Sequence, residues 1–291
     1  MTRRTRAKSP RALMKKYRVS TKVVFSLTVL IVFIVLAIFA EVIAPYRPTG
    51  TADRSSGIFE KPSASHFLGT TYIGRDVFSQ VVFGTRVSLL IGLATAFLST
   101  LIGTVMGLLA GFFGGRVETL VMRTVDFFYA IPSRAFIIIL VIALGNSVLA
   151  LILAMSAMFW RSPTRVVRAE TMILKKNDYV EAARAIGVGH FNIVVRHIFP
   201  NLVPMVLVYF AITLGYAMIA EATISFLGFG AVNSLSWGKM LNLAFQTGGL
   251  SRGAWWWIVP PGLCIALFVN SIFNLSTWLG GMLKVQRMST I

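Results

Sequence analysis

Cysteine is almost absent from this sequence, histidine is scarce and acidic side chains are few. The lone Cys264 excludes an intrachain disulfide. His66, His190 and His197 are scattered, and no Cys/His spacing of the kind that holds a metal is present. Asp and Glu number 10 against 28 Lys and Arg, for a net charge of +18. No basic stripe with interleaved stacking aromatics accompanies that charge, so nucleic acid is not the expected partner. The phosphate-cradling pattern G-x-x-x-x-G-K-[ST] does not occur, which removes that route to binding ATP. Nor does any Ser/His/Asp arrangement or paired intramembrane carboxylate point to an enzyme.

What the chain has instead is apolar length. Hydrophobic residues make up 56% of the 291 and charged residues 13%, with a mean hydropathy of +0.76, the composition of an all-α polytopic membrane protein. A span needs about 20 mainly apolar residues, and six transmembrane helices are predicted, at 23–44, 87–113, 120–144, 147–160, 202–227 and 255–279. An even count puts both termini on one side. Placing them in the cytoplasm brings in the basic cluster of 1–22, Arg116, the Lys and Arg side chains between Arg161 and Arg196, Lys284 and Arg287. Arg47, Arg54, Lys61, Arg75, Arg86, Lys239 and Arg252 then stay outside, an asymmetry that follows the positive-inside rule. The first apolar run is too long for a signal peptide and no A-x-A cleavage site follows it, so it reads as an uncleaved anchor in the plasma (inner) membrane.

Between the fourth and fifth runs lies a polar island, 162–200. Its first part is helical as far as Lys175 and Lys176. Asp178 followed by Glu181 has the form of a capping box, which predicts a short helix from about Tyr179. That helix carries the small side chains of Ala182, Ala183 and Ala185 and stops at Gly187, where glycine permits a left-handed turn. Phe191, Val194, Val195 and Ile198 then form an apolar stripe on a further helix that Pro200 ends. A capped, small-faced helix held on the cytoplasmic side has the form of a docking knob.

These residues resemble the EAA motif of the membrane subunits of ATP-binding-cassette importers: Glu181-Ala182-Ala183, then Gly187, then Pro200. His197 and Phe199 stand where the general pattern has Ile and Leu, and the Arg-His-Ile-x-Pro-Asn version is similar to the peptide and nickel branch. Further stretches resemble the "C" member of the dipeptide, oligopeptide and nickel permeases. They run from His66 through Gly69, Gly74, Arg75 and Asp76 to Arg86, and include Arg123 to Asp126, Ala130 to Ser133, Tyr216 to Gly228, and Trp237-Gly238 to Leu241. The paired prolines usual before Trp237 are replaced here by Ala231 to Leu235, and the Asp-Pro-Arg ending is missing.

The resemblance implies a type I importer transmembrane domain in which Asp178, Tyr179, Glu181, Ala182, Ala183 and Gly187 couple to an ATPase. It implies as partners a homologous membrane subunit, two cytoplasmic ATP-binding subunits, an extracytoplasmic solute-binding protein and the lipid membrane. ATP and Mg would be held by the ATP-binding subunits, with no cofactor in this chain. Peptides are the leading cargo; nickel and oligosaccharides are carried by relatives of the same branch. An ATP-independent secondary transporter, the rival reading, calls for an internal repeat or intramembrane coupling carboxylates, and neither is evident.

The organisation expected is a basic cytoplasmic tail (1–22), the first helix with an extracytoplasmic loop (23–85), a core (86–283) carrying the coupling loop, and a short cytoplasmic tail (284–291). Gly103, Gly107 and Gly111 form a stripe for close helix packing. Arg75 is expected to pair with Asp76 as a brace, and Arg123 with Asp126. Pro132 bends the third span. Glu221, near the outer edge, Asn270 and Asn274 are candidates for the solute pathway beside Pro132, with the third, fifth and sixth spans lining it. The loop at 228–253 is expected to face the binding protein. Trp255, Trp256 and Trp257 are expected to form an interfacial belt, and Pro260-Pro261 to bend the last span.

Overall fold

The structure, a computed structural model, describes residues 20–48 and 57–289, with side chains of the last helix described as far as Leu283. The basic tail of 1–19, Arg54 and the side chains of Lys284 and Arg287 lie outside the described residues. Helices dominate the described residues, among which the sole β pairing is an isolated bridge between Thr70 and Asp76.

Among the described residues four helices are long and apolar enough to cross a membrane: α1 (Thr21–Ile38), α3 (Val77–Phe113), α9 (His190–Phe229) and α11, whose span is Trp255–Leu283 of a helix reaching Ser289. A one-turn helix, α2 (Ala40–Ile43), follows α1. The last helix thus runs into the segment expected to be a loose tail.

The third expected span is a pair, α4 (Gly115–Ala130) and α5 (Ser133–Leu144), bent by 91°. Pro132 explains the break: its ring pushes Ile131 into the extended region (φ −87°, ψ 131°) and it has no N–H to continue the ladder. The fourth, α6 (Val148–Phe159), has 12 residues, about 18 Å of helix and short of a full crossing. The six expected spans therefore differ in kind among the described residues. Four stand alone, one is broken, and one gains length only because Trp160 keeps helical backbone (φ −63°, ψ −22°) into α7 (Arg161–Leu174).

Helix α7, the first part of the polar island, is not a peripheral loop but packs along α3. A Cβ on Gly103, Gly107 or Gly111 would come within 2.7, 2.7 and 2.6 Å of the Cβ atoms of Pro163, Val167 and Thr171, and as close to the backbone carbonyls beside them. The glycine stripe therefore packs inside this chain.

One proline expectation fails. Pro200 does not end a helix, because α9 is continuous through a π-helical stretch at Val194–Ile198. A wider turn there absorbs the donor that Pro200 lacks. The π-turn also rotates the buried face. Ile193 and Ile198, five apart, are fully buried, whereas Phe191 and Val195 of the expected stripe are exposed. Pro260 and Pro261 sit within α11 without interrupting it.

On the other side the loop 57–76 folds over the start of α11. Trp256 donates from Nε1 to the Thr70 carbonyl (3.3 Å), and Trp257 stacks on Tyr72 at 5.7 Å. Only Trp255 of the three is exposed, so the belt expected there is mainly core. Asp76 does not pair with Arg75. Its Oδ1 lies 3.0 Å from His66 Nδ1, and its Oδ2 accepts from Ser79 N (2.8 Å) and Oγ (2.7 Å), capping α3. His66 is drawn in because Asp76 and His66 are both buried, where a charged carboxylate needs more than one partner.

Helix α10 (Trp237–Gln246) is also core rather than loop: Trp237 is fully buried, donating from N to Ser88 Oγ and from Nε1 to Val81 O, each at 3.1 Å.

Candidate functional site

The short helix of the island, α8, runs Asp178–Ala185, with Asn177 rather than Asp178 at its N-cap. No side chain caps it, and neither the Asp178 nor the Glu181 carboxylate bonds another described residue, so the capping box does not form. Asp178 is instead the first helical residue, where its charge meets the positive end of the helix without a hydrogen bond. The C-terminal end is as expected. Gly187 has φ +81°, its N–H donates to Arg184 O (2.9 Å), and Val188 N–H donates to Ala183 O (3.0 Å), a Schellman closure.

The two faces of α8 differ sharply. Val180 and Ala183 are buried in a cluster with Phe112 of α3, Val167 of α7, and Ile193, Ile198 and Leu202 of α9. Asp178, Tyr179, Glu181, Ala182 and Gly187 are exposed, and so are two large apolar side chains, Ile186 (81%) and Phe191 (78%). The alanines expected to act alike therefore split: Ala183 anchors the helix to its own domain, and Ala182 faces out. A knob that presents Ile186 and Phe191 beside two carboxylates without a partner among the described residues has the form of a docking surface. Sequence periodicity missed Ile186 because it lies at the C-cap, off the helix pattern.

Phe112 joins the knob to the membrane part. Lys175 Nζ donates to its carbonyl at 2.6 Å, Arg184 lies 5.6 Å over its ring, and His190 packs edge-on at 5.7 Å. From there α7 carries contact upward on two faces. Its Pro163, Val167 and Thr171 fit the glycine stripe, while Arg161, Arg165 and Arg168, at i, i+4 and i+7, reach across to α4 and α5. Arg168 holds Glu118, with Nε to Oε1 at 2.9 Å, and Arg165 holds Asp126 at 2.6 Å. Asp126 was expected to pair with Arg123, three residues before it on the same helix. Arg123 is exposed, and Arg165 reaches the carboxylate instead because it also packs over Tyr129, 4.0 Å from the ring centre.

Arg161 is buried, and its guanidinium donates to three groups: Met158 O, Phe128 O and Ser133 Oγ, the last at 2.8 Å. Phe128 is four residues before Pro132, so its carbonyl is the one whose helical donor proline removes. Arg161 supplies that donor and ties together the two halves of the bend.

Beside it opens a cavity of about 270 Å³ between the bend, the α6–α7 junction and α9, with Tyr129, Ser133, Arg134, Arg161, Thr213 and Tyr216 on its wall. The pathway candidates divide around it. Pro132 sets the bend that forms one wall. Glu221 is buried and accepts from Ser225 Oγ at 2.7 Å, away from the lining. Asn270 is exposed and Asn274 half-buried on α11, and neither lines the cavity; the fourth segment does so in place of the sixth.

A sequence profile of the family described as "Binding-protein-dependent transport system inner membrane component" matches residues 103–284, and one described as "N-terminal TM domain of oligopeptide transport permease C" matches 13–62. The oligopeptide transport system permease protein OppC of Bacillus subtilis is 33% identical over 257 residues, 88% of this chain and 83% of that protein. The dipeptide transport system permease protein DppC of the same organism is 33% identical over 247 residues (84% and 76%). The glutathione transport system permease protein GsiD of Pectobacterium atrosepticum is 35% identical over 215 residues (74% and 71%).

Proposed function

The chain belongs to the family of binding-protein-dependent transport system inner membrane components, and on that premise we propose that it is the "C"-type membrane subunit of an ATP-driven peptide importer. As a member it is an all-helical, multi-pass membrane protein of the type I importer architecture. It would form the translocation pathway with a homologous membrane subunit, take solute from an extracytoplasmic binding protein and be driven by two cytoplasmic ATP-binding subunits that hold ATP and Mg. The N- and C-termini lie in the cytoplasm in this reading, by the distribution of Lys and Arg. The similarity to oligopeptide and dipeptide transport permeases supports peptides as cargo.

The observation that carries the reading is the outward face of α8, with Tyr179, Glu181 and Ala182 exposed beside Ile186 at its C-cap and Phe191 at the start of α9, on a helix anchored from behind by Val180 and Ala183. An ATP-binding subunit that grips this face moves α8. The cluster around Phe112 passes the displacement to α7, and the arginines of α7 pass it to the α4–α5 bend beside the cavity. ATP-driven closure of the ATP-binding subunits thereby opens the bundle outward, and hydrolysis resets it inward.

Uptake of a labelled peptide set in cells carrying or lacking the gene, with and without ATP depletion, tests the assignment. ATP-dependent uptake is expected, and it is expected to fall at least tenfold in Glu181→Arg while the subunit still inserts. Uptake that survives ATP depletion, or that Glu181→Arg leaves unchanged, contradicts it.

A further inference from the structure

The charge on the cavity wall identifies the kind of group that occupies it. Arg134, the second residue of α5, lines the cavity, is exposed to it, and has no hydrogen-bond or ion-pair partner among the described residues. Arg161, at the start of α7, also lines it, held by Met158, Phe128 and Ser133, with its guanidinium 4.6 Å from the centre of the Tyr129 ring. Neither Asp nor Glu lines the cavity. Acidic side chains near the lining are already engaged: Glu221, next to Ala220, by the Ser225 hydroxyl, Asp126 by Arg165 and Glu118 by Arg168. Hydroxyls of Ser133, Ser162, Thr213, Tyr129 and Tyr216 complete the polar lining against Ile137, Met158 and Ile212.

Two guanidinium groups, one of them unpaired, with hydroxyl donors and no competing anion, make a receptor for a planar oxyanion. A guanidinium fork matches a carboxylate with two parallel hydrogen bonds. An exposed cation beside apolar walls gains more from a carboxylate than one in bulk water, because the low-dielectric wall weakens screening.

We propose that this cavity is a station for the side-chain carboxylates of acidic peptides on the translocation route, with Arg134 as the residue that receives the anion and Arg161 as the positioning residue that fixes the wall. This rests on the peptide reading above and deepens it. Acidic peptides are favoured over basic ones at this step, and a bare cation is opposed.

The test is competitive uptake of three labelled tripeptides, Ala-Asp-Ala, Ala-Ala-Ala and Ala-Lys-Ala, by the full transporter carrying wild-type, Arg134→Gln, Arg134→Glu or Arg134→Lys subunits at matched membrane abundance. The binding protein is the same in every strain, so ratios between variants cancel delivery. Arg134→Gln is expected to lower the acidic-to-basic uptake ratio about tenfold, Arg134→Glu to lower it further, and Arg134→Lys to keep most of it. An unchanged ratio in Arg134→Glu, or an equal fall for all three peptides, overturns the proposal. Absence of ATP-driven uptake of every peptide by the wild type removes the peptide reading, and the station with it. Wild-type uptake with an unmoved ratio removes the station alone.

Discussion

Arg161 donates to the carbonyl of Phe128, the acceptor that Pro132, four residues on, leaves without a helical donor. One side chain from the segment behind the knob thus closes the break in the helix beside the cavity. Arg161→Met removes the donor and leaves a carbonyl and the Ser133 hydroxyl short of a partner. Thermal unfolding of the purified complex is expected to show a loss of about 2 kcal/mol, the range for hydrogen bonds to a charged group. Arg161→Lys is expected to recover less than half, since an ammonium cannot span three acceptors with a fork. Equal stability of the Met variant and the wild type contradicts this role.

The glycine stripe gives a graded series. Gly107→Ala places a Cβ 2.7 Å from Val167 Cβ and 2.8 Å from Thr164 O, so α3 and α7 must separate. A loss of about 1–3 kcal/mol is expected, as for overpacking elsewhere. Gly187→Ala meets no atom within 4 Å, but its φ of +81° remains. That costs about 1–2 kcal/mol through the backbone alone, and Gly187→Asn is expected to recover part of it. If Gly107→Ala were silent, the close packing of α3 on α7 would be wrong.

Among the ion pairs, Glu118 with Arg168 is the more enclosed, side chains 24% and 28% exposed, whereas Asp126 and Arg165 are 55% and 47% exposed. A double-mutant cycle on the exposed pair is expected to give below about 1 kcal/mol, and the enclosed pair is expected to give the larger coupling. The reverse order would contradict the packing of α7 against α4.

On the other side of the membrane Asp76 both caps α3 and holds His66. Asp76→Ala is expected to cost about 2 kcal/mol, at the upper end of N-cap losses, and to loosen the loop over Trp256 and Trp257. Faster proteolysis within 57–76, with peptide-independent ATPase activity unchanged, is the expected result. A loop as resistant as the wild type's would separate Asp76 from that fold.

Long apolar runs, Gly187 and the Pro132 break were legible because each acts locally: hydropathy, φ and a missing N–H need no neighbour. The glycine stripe was legible as a packing face, but its partner was not, since Pro163, Val167 and Thr171 are some 60 residues away in the chain. Separations of 39 and 50 residues hid the partners of Asp126 and Glu118, which are Arg165 and Arg168; for Asp126 the expected partner was Arg123 on its own helix. The face of Phe191 was misread because the π-turn at Val194–Ile198 resets a period that a 3.6-residue pattern takes as constant. Trp256 and Trp257 look interfacial in sequence and become core only once the loop 57–76 covers them.

The account turns on whether the outward face of α8 is where an ATP-binding subunit sits. Ile186→Cys reports on that directly, because Cys264, the chain's one native cysteine, lies part-buried within α11. Maleimide labelling of Ile186→Cys is measured in membranes with and without the co-expressed ATP-binding subunits. Labelling is predicted to be fast for the subunit alone, since Ile186 is 81% exposed, and at least tenfold slower in the complete transporter. Equal rates in the two membranes would contradict the docking face and the transmission built on it.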